Sequence, residues 1–173
     1  MKTTKQWLEE VKADPAKLTH WLKRQYIGEC LAADRIESLA RSVDTKYKPV
    51  LMKIAKDELT HAEWVRELLV ARNIKIPEVS IKDTRYWEPI LGNLQSFEEI
   101  AGAGHHAETM RLIRIRALAA DTEIATDIRT VFANILPDEE MHARAFASMS
   151  SDSAIESTRT LHKQGLDLLG LEA

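Results

Sequence analysis

Apolar residues return with a period near 3.6 along most of the chain, and they mark out four long amphipathic helices. The first stripe carries Leu18, Trp21, Leu22, Tyr26, Cys30, Ala33, Ile36, Leu39, Ala40 and Val43. Asp14-Pro15 stands just ahead of it, as an N-cap followed by a first-turn proline. The stretch from Val43 to Pro49 breaks the pattern, and a second stripe follows through Leu51, Ile54, Ala62, Val65, Leu68 and Leu69. Residues 73–95 show no clean period and contain Pro77, Pro89 and Gly92, so they read as a long crossover with a short helical turn near Trp87. Ser96 with Glu99 three residues on marks a capping-box start to the third stripe, which runs through Phe97, Ala101, Leu112, Ile115 and Leu118. A tight break at Asp121-Thr122 leads to the fourth, from Ile124 through Ile128, Phe132, Ile135 and Phe146 to Met149. Pro137 lies inside it and is expected to kink it. Shorter helices are expected over Thr3–Ala13 and over residues 151–171.

Connections that run short, long, short make two antiparallel hairpins joined by a crossover. The expectation is therefore an all-α four-helix bundle. It is one domain over residues 1–173, with its core at about 16–150, a crossover at about 73–95 and a C-terminal helix at about 151–171. Six glycines and five prolines are few for an all-β chain of 173 residues, which agrees with long helices. The net charge of −3 is thinly spread with no basic stripe, which argues against nucleic-acid binding. The first residues lack the apolar run of a signal peptide, and no stretch reaches the length of a membrane span. The lone Cys30 excludes an intramolecular disulfide and any Cys-rich metal site within this sequence. Together these point to the cytoplasm.

What interrupts the four stripes is more informative. Core-facing positions step 22, 26, 29, 33, 36 in the first helix, and position 29 is a glutamate. In the second they bring Glu58 and His61 inward, in the third His105 and Glu108, and in the fourth Glu139 and His142. Four buried carboxylates repel one another and cost several kcal/mol each without partners. No equal set of inward Lys or Arg is available to neutralise them. Two divalent cations would balance four negative charges and accept two imidazoles as further ligands. Carboxylate oxygen with imidazole nitrogen suits iron or manganese, with zinc as an alternative.

Spacing supports the same site. Glu58-Leu59-Thr60-His61 and Glu139-Glu140-Met141-His142 each set a glutamate and a histidine three apart, on one helix face. Glu29 lies 15 residues before Asp44 and Glu58 lies 14 after it. Fourteen helical residues advance about 21 Å, so both return to one height in the hairpin. There is also an internal echo. Ile54-x-x-Asp57-Glu58-x-x-His61-Ala62 matches Ile135-x-x-Asp138-Glu139-x-x-His142-Ala143, and Arg-Ile follows both Glu29 and Glu108 at +6 and +7, as a duplicated hairpin would leave. Asp57 and Asp138, four residues before each histidine, can accept the second N–H of a ligand imidazole, or be ordinary exposed acids. His105 reads as a hydrogen-bonded core histidine or an extra ligand. Tyr26, one turn from Glu29, reads as packing or a redox relay.

The order Glu, Asp-Glu-x-x-His, Glu, Asp-Glu-x-x-His resembles the ferritin-like superfamily of carboxylate-bridged di-iron proteins, over roughly residues 16–150. Within it the chain is closest in style to rubrerythrin-like proteins. The resemblance implies a ferritin-like bundle with two iron ions, Glu58 and Glu139 bridging, Glu29 and Glu108 terminal, and His61 and His142 one per metal. It implies an oxidoreductase that reacts with O₂ or peroxide at the dinuclear site. Iron oxidation and storage of the bacterioferritin type, and hydroxylation of the demethoxyubiquinone hydroxylase type, are the alternatives. A separate electron donor is expected, and a homodimer is one open assembly state. Rubrerythrins carry another glutamate one turn after the third-helix ligand, whereas Arg111 stands there in this chain.

Overall fold

The computed structural model describes residues 3–43, 46–80 and 85–171. Among these, the order is α1 (Thr4–Ala13), α2 (Pro15–Ser42), α3 (Lys48–Ala71), a 3₁₀ turn (Arg85–Trp87), α4 (Glu88–Leu91), α5 (Phe97–Ala120), α6 (Thr126–Ser148) and α7 (Asp152–Leu169), with no strand. The bundle is all-α and ferritin-like, with the long crossover carrying the 3₁₀ turn and α4. Asp44 and Thr45 of the first expected break, and residues 81–84 of the crossover, lie outside the described residues. No described helix is long and apolar enough to cross a membrane.

Local chemistry sets the helix starts. The Asp14 carboxylate accepts the Ala16 N–H at 2.9 Å, and Pro15 takes the first helical position, where no N–H is needed. Thr3 and Gln6 complete a capping box on α1. At α5 the expected box is only half formed. Ser96 Oγ accepts the Glu99 N–H, but the Glu99 carboxylate accepts the N–H of Gln95 at 2.7 Å. The fourth long helix also starts later than its apolar stripe. The Asp121 carboxylate accepts the Glu123 and Ile124 N–H groups, so Ile124 packs into the core from a turn that precedes the helix. α6 continues through Pro137, whose ring removes the N–H that would reach the Ala133 carbonyl.

α2 pairs with α3, α5 with α6, and the two hairpins join along α3 and α6. α2 and α5 scarcely touch. Apolar burial is split into two clusters. One holds Leu22, Val65, Leu69, Ile115, Phe132 and Ile135, and the other holds Ile36, Leu51, Ile54, Ala101 and Phe146. On every long helix the residues between these two clusters are the inward glutamates and histidines. A polar layer thus lies between two oily ones. Gly104 helps close the second cluster, since a Cβ there would stand 2.8 Å from the Phe146 ring.

Candidate metal centre

Antiparallel hairpins return each long helix to the same level, and all six expected residues meet there. Glu29, Glu58, His61, Glu139 and His142 have no exposed surface, and Glu108 is 4% exposed. Within the six, ligand atoms of Glu29, Glu58, His61 and Glu139 lie within 4.8 Å of one another. Glu108 and His142 complete the ring from outside that tightest group. His142 Nδ1 is 3.1 Å from Glu58 Oε1, and His61 Nδ1 is 3.4 Å from Glu139 Oε1, both without hydrogen-bond alignment.

The two aspartates hold the imidazoles, but not as chain spacing suggests. His61 Nε2 donates to Asp138 and His142 Nε2 to Asp57, each at 3.3 Å. Each histidine is therefore bonded to the aspartate of the other motif rather than to the one four residues before it. The reason is the antiparallel packing of α3 on α6, which sets residue 57 against 142 and residue 61 against 138. Because Nε2 carries the proton that faces a carboxylate, Nδ1 of each ring is the atom turned to the centre, where it offers its lone pair when the ring is neutral. Lys53 and His142 hold Asp57 low against a burial that would raise it.

One residue of the centre is not anticipated by the stripe reading. Arg111, 17% exposed, reaches into the layer from α5 and contacts all four carboxylates: Glu29, Glu58 at 3.1 Å, Glu139 at 2.9 Å and Glu108 at 3.4 Å. An inward cation does exist, though one against four. Its place three residues after Glu108, on the same helix face, was the available signal. The charges respond unevenly. Burial pushes Glu108 up to about 8 and Glu139 up to about 8, with Arg111 opposing. Burial also pushes Glu29 up to about 7. It acts on Glu58 too, yet Arg111 and His142 outweigh it and hold Glu58 down at about 2. His142 would be lowered by burial, but Glu58 raises it to about 9.

The other candidates fall outside the layer. Half-buried His105 places Nδ1 on the Ala143 carbonyl at 2.9 Å and so ties α5 to α6. Tyr26 packs on the first apolar cluster, and it is Gln25, one residue earlier, that donates to Glu29.

Whether this layer suits a metal can be tested on its unpaired atoms. Glu58 Oε1, His61 Nδ1, Glu139 Oε2 and His142 Nδ1 are buried without a hydrogen-bond partner. All four belong to the two Glu-x-x-His pairs. Orphaned buried polar atoms are rare and costly, and these are oxygen and nitrogen donors on facing helices. The residues fit a cation. The family model described as rubrerythrin matches residues 20–150, from the first turns of α2 to the end of α6, with both pairs inside the match. No curated protein and no solved structure matches the chain.

Proposed function

The chain belongs to the rubrerythrin family, and on that premise we propose that it is a non-haem di-iron oxidoreductase reacting with O₂ or peroxide. The four orphaned donor atoms carry this reading, because oxygen and nitrogen donors buried without a partner are what metal ions would take as ligands. Glu29, Glu58, His61, Glu108, Glu139 and His142 would hold two iron ions. Iron(II) bound there supplies the electrons that O₂ or peroxide takes up.

The remaining work falls to the chain. Asp57 and Asp138 fix the tautomer and direction of His142 and His61. The apolar clusters above and below the layer shield it from water along the bundle axis, which strengthens the charge interactions inside. Arg111 balances part of the carboxylate charge. The single cysteine of this sequence cannot build a thiolate-ligated relay, so the electron source lies outside these 173 residues.

Anaerobic Fe(II) titration should saturate at about two ions per chain. Rapid mixing of the loaded protein with O₂ and, separately, with peroxide should then oxidise the iron in a single fast phase. Loading without any reaction toward either oxidant would overturn the proposal, and so would failure to load. A particle of many subunits on size exclusion would favour iron storage instead.

A further inference from the structure

The internal repeat contains a pair of charged residues that the metal layer does not use. Arg35-Ile36 follows Glu29 and Arg114-Ile115 follows Glu108 at equal offsets. The isoleucines enter the two apolar clusters. The arginines face elsewhere. α2 is antiparallel to α3, α3 to α6 and α6 to α5, so α2 and α5 run in opposite directions. Arg35 and Arg114 therefore lie on opposite sides of the layer, about 18 Å apart along the bundle.

Between α2 and α5, where the helices scarcely touch, lies a cavity of about 980 Å³. Trp7, Trp21, Trp87 and Leu31 help to line it, and Glu108 and Arg111 are where it meets the buried layer. Arg35 lies over the Trp87 ring at 4.6 Å and Arg114 over the Trp7 ring at 4.8 Å. Among the described residues neither guanidinium makes a hydrogen bond or an ion pair. Burial lowers Arg114, and it lowers Arg35 to about 10. Glu108 is the acid that acts most on Arg35, from beyond ion-pair distance, whereas burial alone acts on Arg114. A half-buried cation with no paired carboxylate is unfavourable, and here two of them open on one aromatic-walled space. A planar guanidinium braced by an indole is shaped to receive a carboxylate.

We propose that this cavity binds an amphipathic carboxylate. Its head group would pair with one of the two repeat-related guanidiniums, and its apolar body would lie along the α2–α5 gap beside Glu108. As the substrate class of the centre it rests on the di-iron reading; the binding itself does not.

The test is calorimetric titration of the full chain with laurate, against dodecyltrimethylammonium and acetate. Laurate should bind at least about tenfold more tightly than either. A cationic analogue of equal affinity would reduce the cavity to a greasy surface, and acetate of equal affinity would reduce it to an ion site. Either result overturns the proposal, as does no binding of laurate. The double variant Arg35→Met/Arg114→Met, checked for native helicity, should lose at least about tenfold in laurate affinity, and Arg35→Lys/Arg114→Lys should recover part of it. If the Met variant fails to fold, the head-group series on the unaltered chain still decides. A dimer that covers the cavity would appear by light scattering as a species indifferent to laurate, and would also overturn the proposal. Metal content is measured on the same samples. Laurate binding without metal uptake would sink the di-iron reading and leave the anion site, and metal uptake without laurate binding would do the reverse.

Discussion

Replacing Arg111 by Met keeps most of the side-chain stem and removes the one charge that touches all four carboxylates. Its cost can be worked from Glu58. That carboxyl is buried, yet Arg111 leads the influences that hold it at about 2 rather than 4.5. The net lowering corresponds to about 3 kcal/mol in favour of the folded, ionised form at neutral pH. Arg111, its largest source ahead of His142 and Glu29, sets the scale of the loss. The other three contacts add little to this. Glu29, Glu108 and Glu139 are already raised to about 7, 8 and 8, so protons replace the lost charge at small cost. For a chain of this length 3 kcal/mol lowers Tm by about 10 °C. The sign follows from a depressed acid: the stabilisation is present above pH 4.5 and fades as pH falls toward about 2. Chelator-treated Arg111→Met, melted at pH 7 by circular dichroism, should show that deficit. Added Mn(II) should then raise its Tm further than it raises the unaltered chain's, since no guanidinium competes for the carboxylates. An apo Tm within about 2 °C of the original would refute the charge accounting. Loss of the Mn(II)-induced rise would show that Arg111 assists the metal.

Three further outcomes are expected. Glu58→Ala and Glu139→Ala should each abolish stoichiometric metal uptake, read by elemental analysis, while far-ultraviolet circular dichroism stays native. Asp138→Asn and Asp57→Asn should weaken metal affinity by about 10–100-fold in competition titrations, and the crossed bonds make Asp138→Asn perturb the His61 imidazole resonances in NMR rather than those of His142. Acid should loosen α7. Tyr86 and His162 share a 2.6 Å hydrogen bond, His162 stacks on His106, and burial lowers His162 to about 4. A depressed histidine contributes stability above its ordinary 6.5 and loses it as pH falls toward 4, so hydrogen exchange in α7 should quicken over that window while α3 stays protected.

The helices and their inward faces were legible because period 3.6 is a property of neighbours in sequence. So were the six carboxylate and imidazole positions, which sit on those stripes and now share one buried layer. What escaped depends on how helices lie against one another. Asp57 sits four residues before His61, and spacing alone pairs those two, but the α3–α6 contact gives Asp57 to His142. Arg111 reads as a departure from the family pattern until its long side chain is seen to bend back among four glutamates. His106 and His162 belong to no motif in the sequence. Their half-buried stack appears only once α7 docks on α5 and the crossover. The cavity between α2 and α5 is likewise a gap between elements, which no stripe encodes.

The exchange of aspartates between the two motifs means that neither half of the protein owns a finished imidazole. A lone hairpin would carry its own glutamates and histidine yet leave the ring free to spin. If the chain arose by doubling, its forebear could work only when two identical hairpins met and lent each other their acids. Fusing the copies replaced that concentration-dependent encounter by permanent proximity, and it leaves a plain corollary: a cut in the crossover should be tolerated only while the fragments stay together.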